Sequence, residues 1–592
     1  MLLDPQVGDS RRIDVEVGTT VIEVKKDLSA GKVRAEAINQ LRGYVESRQA
    51  QHGGRYVGIL TDGADWHGYH LQGGRLEEVT RHQVDAARPD ADALCIWLEG
   101  ILATGRDIRP TPEEIRRRLG ADSSSHELDR ASLHALFHAN RDRPAVQTKR
   151  DLWAQLLQTV LGTQFDDNDD LFIEHTLLVN SAEIIAHAML GLAPDSLPAR
   201  SLLSGEKFIE AGVLGVVEAD FFDWVVEVDG GDALCRARAR RITRFDWEAI
   251  EHDVLKVLYE SVIRAEVRKK LGEYYTPDWL AEKMVETVIT EPLAQRVLDP
   301  SCGSGTFLFH AVRRYIEAAE TARTPVRDML AGVTSHVLGM DLHPVAVSLA
   351  RVTYLLAIGR KHLLSRKRDS FRVPVYLGDS LQWRRKNPTL FSASELTIPI
   401  DDRRELTAAE FRFPSTLLKN AADFDGLIAE LADQVASRKP GGKVPSLASL
   451  FKTRSTPKAE QASISDSFQM MCKLHDEGRD HIWGYYIRNL ARPEWLARTE
   501  NQVDTLIGNP PWLKFSYMPE RMQQEFRALS EARGLWHGAG VAPHQDLSAL
   551  FVVRAVEHYL KPGGRFAFVM PSAVLDRKQY AGFRAGSTDH RH

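Results

Sequence analysis

The stretch Leu506-Ile507-Gly508-Asn509-Pro510-Pro511-Trp512 decides how the rest of the chain is read. An apolar run with the character of a buried strand ends in an amide, two prolines and an aromatic ring. Pro510 and Pro511 hold the backbone out of the helical region, so the Asn509 amide, the Pro510 carbonyl and the Trp512 plane are presented together at the strand's C-terminal edge. A planar exocyclic amine, such as N6 of adenine, can donate its hydrogens to the Asn509 oxygen and the Pro510 carbonyl while Trp512 stacks on the ring. That grip draws the lone pair out of conjugation and makes the amine a nucleophile. The alternative is a strand followed by a Pro-rich turn.

Working outward, Arg296-Val297-Leu298-Asp299-Pro300-Ser301-Cys302-Gly303-Ser304-Gly305-Thr306 reads as a buried strand, a glycine turn and a helix start. Glycines let a ligand approach the backbone, but the spacing is not GxGxxG and no phosphate-binding lysine follows. That favours S-adenosylmethionine over NAD or ATP. A second strand, Val337 to Asp341, ends in a carboxylate suited to a ribose diol, and a third, Val373 to Leu377, runs into Gly378-Asp379-Ser380, where Asp379 can accept from an adenine amine. Asp299, Asp341 and Asp379 thus end three consecutive strands of one expected parallel sheet, at the edge where such sheets bind ligands. A strand-end acid is also commonly a helix cap, so each alone has a purely structural alternative. Upstream, Tyr275-Thr276-Pro277 is expected to open a helix with Thr276 as cap and Pro277 in the first turn. Downstream, a helix over 546–560 precedes the strand Arg565 to Pro571.

In this order Tyr-Thr-Pro, Asp-Pro-x-Cys-Gly-Ser-Gly, Gly-Met-Asp, Gly-Asp-Ser and Asn-Pro-Pro-Trp resemble the gamma-class N6-adenine DNA methyltransferases. The resemblance implies a Rossmann-like sheet that binds S-adenosylmethionine. Tyr275, Thr276 and Pro277 would line the methionine side; Asp299, Pro300, Cys302, Gly303 and Gly305 would form the main cofactor loop. Asp341 would hold the ribose and Asp379 the adenine ring. Asn509, Pro510, Pro511 and Trp512 would take an adenine flipped out of double-stranded DNA.

At the other end, Ile13 to Val17, Val21 to Lys25 and Tyr56 to Thr61 read as strands around a helix over 35–48. Asp14, Glu23 and Lys25 then lie on adjacent strands, with Glu23 and Lys25 on one face. Two carboxylates, Asp14 and Glu23, can hold Mg²⁺, and a lysine can help deprotonate a water. With Gln40 and Thr61-Asp62-Gly63-x-x-Trp66, the pattern resembles the PD-(D/E)xK nuclease domain of type I restriction subunits and type IIG restriction-modification enzymes. The resemblance implies a small α/β nuclease-like domain, with Mg²⁺ required only if it cleaves.

The expected organisation is therefore multidomain α/β: the nuclease-like domain at 1–104, an α-helical connector at 105–265 and the methyltransferase domain at 266–592, with an insertion at 383–482. Length agrees, since 592 residues hold several domains at about 150 residues each. His175 and His187 on the apolar 171–192 segment read as core histidines, and that segment's polar residues exclude a membrane span. Net charge is −5, so any nucleic-acid surface is a local patch. Four dispersed cysteines without metal spacing read as reduced thiols in a cytoplasmic protein. No base-reading segment is recognised after Pro571, so a fragment, a truncated product, or a split system with a separate specificity (target-recognition) subunit is expected. The functional expectation is a site-specific adenine DNA methyltransferase of a restriction-modification or phage-defence system. The alternatives are an RNA or protein-glutamine methyltransferase, and a DNA-binding scaffold without activity.

Overall fold

The computed structural model describes residues 13–161, 165–248, 253–263, 268, 276–383, 395–400, 409–479, 482–538, 540 and 544–586. Its contacts divide the chain into two units, Met1–Arg141 with Asn168–Lys207 and Val225–Ala265, and Asp142–Asp167 with Phe208–Trp224 and Glu266–His592.

In the first unit the strands Val15–Val17, Thr20–Val24, Val57–Thr61, Asp65–Gln72 and Arg75–Gln83 lie side by side in chain order. Only the second and third pair in parallel, because the helix Gly31–His52 crosses over between them. Alternation supplies two apolar faces. Val21 and Leu60 pack with Leu41 and Val45 of that helix, while Ile22 and Ile59 pack with Trp97, Ile101 and Leu128 on the other side. Each fully buried side chain of this kind contributes roughly 1.5–3 kcal/mol. His175 and His187 are both fully buried on the helix Asp169–Met189.

The second unit is built on a parallel sheet in the spatial order Val375–Leu377, Val337–Asp341, Val297–Asp299, Val503–Gly508, Leu560–Phe568. In chain order this is 3-2-1-4-5, so the direction of winding reverses between Val297–Asp299 and Val503–Gly508. Such a reversal leaves a crevice at the carboxyl ends of the two strands. Buried on both faces, the central strands are apolar without alternation. The expected strand over 373–377 starts only at Val375, and a separate short strand precedes it. Phe371–Arg372 pairs with Val213–Leu214, and Val375–Leu377 joins the main sheet beyond Pro374, which has no N–H for a ladder. The insertion holds the hairpin Glu395–Ile400/Ala409–Pro414 and the helices Ala421–Ala436 and Lys458–Asp476, and the helix Trp483–Leu490 follows it. Among the described residues no helix is long and apolar enough to cross a membrane.

Candidate active site at the carboxyl edge of the parallel sheet

Asp299 ends the central strand fully buried, its Oδ1 accepting from the Ser301 N–H at 3.1 Å. Burial pushes its carboxyl well above the ordinary range, and Asp341 adds to the rise. The following loop is drawn over the second strand, with Cys302 N–H donating to the Met340 carbonyl at 3.0 Å and Gly303 N–H to Asp341 Oδ2 at 2.9 Å. Gly303 adopts φ +54 and Gly305 φ +97, left-handed values that favour glycine. A Cβ on Gly303 would meet nothing within 4 Å, so this backbone faces open space. The Cys302 thiol is pushed well above its usual value by burial, with Asp341 and Asp299 adding to it, and is no nucleophile.

The other strand-end acids organise loops while facing the cavity. Asp341 Oδ1 accepts from His343 N–H at 2.8 Å, and Asp379 accepts from Leu381 N–H at 3.0 Å and Trp383 N–H at 3.2 Å. A carboxylate has about four acceptor positions, so these caps leave room for a ligand. Burial raises both carboxyls. His343 Nδ1 accepts from Ala346 N–H at 3.3 Å, capping the helix Pro344–Ile358, and burial pushes the imidazole down to about 4. It is therefore neutral at pH 7.

Asn509 leaves the end of Val503–Gly508 half-buried, its carbonyl accepting from Ser301 Oγ at 3.1 Å. Its amide Nδ2 donates to Thr276 Oγ1 at 3.3 Å. Thr276 is not the helix cap that its local sequence predicts. The helix Asp278–Val288 starts with Pro277 at the cap position and no side-chain cap bond, and the Thr276 hydroxyl turns to Asn509 instead. Beyond Trp512, Leu547 N–H donates to the Leu513 carbonyl at 2.9 Å, fixing the turn against the helix Leu547–Tyr559. Gly508 is required by closeness, since a Cβ there would stand 2.6 Å from Asp299 Oδ1.

One cavity of about 200 Å³ collects these parts. Thr276, Pro300, Cys302 and Gly303 line it, as do Asp341, Asp379 and the run Asn509 to Trp512. Asp299 and Gly305 lie behind the loop and support it, Pro277 is set back, and Tyr275 falls outside the described residues. Sequence reading missed Phe307, Leu342, His343, Trp383, Met522 and Phe551, which also line it. Leu342 and His343 directly follow Gly-Met-Asp, which is a usable signal; Phe551 and Met522 look like ordinary helix core. An apolar wall, open space over a glycine turn and acids at the strand ends suit a nucleoside-bearing cofactor such as S-adenosylmethionine.

In the first unit, Lys25 Nζ reaches Glu23 Oε1 and, at 3.2 Å, Gln40 Oε1. Glu23 is buried, and that burial raises its carboxyl, with Lys25 opposing and Asp14 adding to the rise. Asp14 is exposed, Oδ2 accepting from Val24 N–H at 2.8 Å. Lys25 thus joins Glu23 and Gln40, while Asp14 is bonded to the backbone between Glu23 and Lys25. Among the described residues no group of three or more His, Cys, Asp or Glu side chains is arranged to hold a metal ion.

The second unit is defined by these features as an α/β unit with a ligand crevice at the reversal point of a parallel sheet. Residues 250–382 match the family described as N-6 DNA Methylase, and residues 335–591 match Eco57I restriction-modification methylase. The chain is 25% identical over 229 residues to the MjaVII methylase subunit of a type I restriction enzyme from Methanocaldococcus jannaschii, a match covering 38% of this chain and 33% of that one. It is 26% identical over 136 residues to the adenine-specific methyltransferase PglX of Streptomyces coelicolor, covering 21% of this chain and 11% of that one. The cryoEM structure of a DrdV–DNA complex is a neighbour at 14% identity and TM-score 0.40, covering 96% of this chain and 44% of that one. The chain spans less than half the length of each of these relatives. Its second half thus carries the sequence features of N6 DNA methylases and restriction-modification methylases.

Proposed function

We propose that the second unit is a Rossmann-like, S-adenosylmethionine-dependent methyltransferase acting on N6 of an adenine flipped out of double-stranded DNA, in a cytoplasmic restriction-modification or phage-defence system. The observation that carries this reading is the Asn509 amide, held through Nδ2 by Thr276, beside a cavity walled by Asp341 and Asp379. With its nitrogen end turned to Thr276, the amide directs Oδ1 elsewhere as an acceptor. Asn509 Oδ1 and the Pro510 carbonyl accept the two hydrogens of the target amine, and Trp512 stacks on the base, with Pro511 stiffening the turn. Asp341 takes the ribose hydroxyls and Asp379 the cofactor's adenine amine. Pro300, Cys302 and Gly303 give the backbone against which the cofactor lies, supported by Asp299 and Gly305, and Tyr275, Thr276 and Pro277 close the methionine side. When bound, the cofactor supplies an electrophilic methyl sulfonium. The residues around it contribute alignment and polarisation, with no covalent enzyme intermediate. Extruding the base costs a few kcal/mol, which a separate target-recognition subunit or further segment would help to supply through DNA contacts.

Asn509→Ala tests the assignment. Methyl transfer to adenine-containing duplex DNA falls about a hundredfold or more, while S-adenosylmethionine affinity is retained. Survival of transfer removes Asn509 from the site. Side-by-side assays with RNA and protein acceptors separate the DNA reading from the two other methyltransferase readings, and absent cofactor binding by folded protein supports an inactive scaffold.

The contact of Lys25 with both Glu23 and Gln40 favours a second activity, Mg²⁺-dependent DNA cleavage by the first unit. Glu23 and Asp14 would hold the cation and Lys25 would position the attacking water.

A further inference from the structure

Neither proposed site uses a pair of histidines in the first unit. The helix Ser124–Asn140 carries His134 and His138 one turn apart, with Nε2 atoms 3.1 Å from each other and ring centroids separated by 4.2 Å. His134 is 45% exposed and His138 is also exposed, so the rings meet at the surface, through a hydrogen bond between them and not through core packing. Across from them Asp170, on the helix Asp169–Met189, sets Oδ1 3.9 Å from His134 Nε2 and 3.1 Å from Arg130 Nη2.

Two imidazoles at this distance repel when both are protonated. At 3.1 Å one Nε2 donates to the other; with both protons moved to Nδ1, neutral imidazoles at i, i+4 present two Nε2 lone pairs to one point in space. A tetrahedral ion with metal–nitrogen bonds of about 2.0–2.1 Å needs its two nitrogens about 3.4 Å apart. The observed 3.1 Å is within reach of a small side-chain rotation.

We propose that His134 and His138 form a bidentate site for a borderline divalent transition cation, Zn²⁺, Ni²⁺ or Cu²⁺, with water completing the coordination shell. Nitrogen donors select these ions over Mg²⁺ and Ca²⁺, which take oxygen. Asp170 is held by Arg130 and contributes negative potential, not a bond. The bound ion fastens the last turns of the helix Ser124–Asn140.

The test uses the full chain without a polyhistidine tag, titrated calorimetrically with ZnCl₂ and NiCl₂ in a non-chelating buffer, with thermal melting in parallel. One equivalent is expected to bind and to raise the melting temperature, with MgCl₂ producing neither effect. His134→Ala and His138→Gln, both at non-core positions, are each expected to lose that equivalent and the melting shift while melting like the parent without metal. No saturable binding by the parent overturns the proposal. So does an equivalent that persists in both variants, which places the ion on other histidines.

Discussion

Gly508→Ala is the sharpest test of how the two halves of the crevice hold each other. The new Cβ would stand 2.6 Å from Asp299 Oδ1 and 3.3 Å from its Cγ. Real Cβ atoms essentially never come within 3.0 Å of another atom, so at least 0.4 Å (3.0 minus 2.6) must be found by movement. Asp299 has little freedom, being fully buried with Oδ1 committed to Ser301 N–H. The displacement passes into the Pro300–Gly303 loop on one side and Asn509 on the other, which Ser301 Oγ ties together at 3.1 Å. Overpacking of this kind costs about 1–3 kcal/mol. If that strain is relieved only by distorting the loop, S-adenosylmethionine affinity falls roughly 5- to 150-fold. Calorimetric titration gives the affinity, and thermal melting of Gly508→Ala, Asp299→Ala and the double variant gives the coupling. Once Asp299 is truncated the alanine has room, so its cost in that background should fall to about 0.5 kcal/mol or less. Unchanged cofactor affinity and melting in Gly508→Ala, or an equal cost with and without the Asp299 carboxylate, refutes the reasoning.

Thr276→Val removes the acceptor of the Asn509 amide and should lower kcat for DNA methylation about tenfold with little change in cofactor affinity; Thr276→Ser should restore it, and a variant that instead weakens the cofactor alone would return Thr276 to a purely cofactor-lining role. Asp220, enclosed with Asp223, Lys149 and Ser348, is raised by burial to about 7. Between about pH 3.9, where the unfolded carboxyl titrates, and 7 the folded state keeps a proton the unfolded chain has lost, so stability falls as pH rises through that window. Asp220→Asn should flatten the decline in melting temperature between pH 5 and 7, and parallel curves for the two proteins would contradict this. Glu23→Gln is expected to abolish Mg²⁺-dependent DNA cleavage without altering methyl transfer, read by plasmid nicking and tritium incorporation on the same preparation.

What could be read from the chain follows from the range of the interactions involved. An acid that ends an apolar run marks both a strand and its exit, so Asp299, Asp341 and Asp379 were legible and lie at one edge of the sheet. Thr276 was misread because a Thr-Pro pair before a helix is locally a cap, whereas its partner Asn509 lies 233 positions away. Phe551, Met522 and Trp383 were hidden for a different reason, since apolar residues on helices and turns carry no mark of which face meets a cavity. The same limit applies to the helical stretch before the parallel sheet of the second unit. Periodicity reads it as one run of helices, but the segment Phe208–Trp224 belongs to the second unit because Glu218 is ion-paired with Arg351, Arg372 and Arg488 and Asp220 accepts from Ser348. These arginines hold Glu218 down at about 2 although desolvation opposes them. Removing one partner of such a buried pair costs about 3–5 kcal/mol, enough to decide where a segment packs. Hydrophobic pattern therefore fixes which residues form elements, while the assignment of elements to units rests on a few charges whose partners lie more than a hundred residues along the chain.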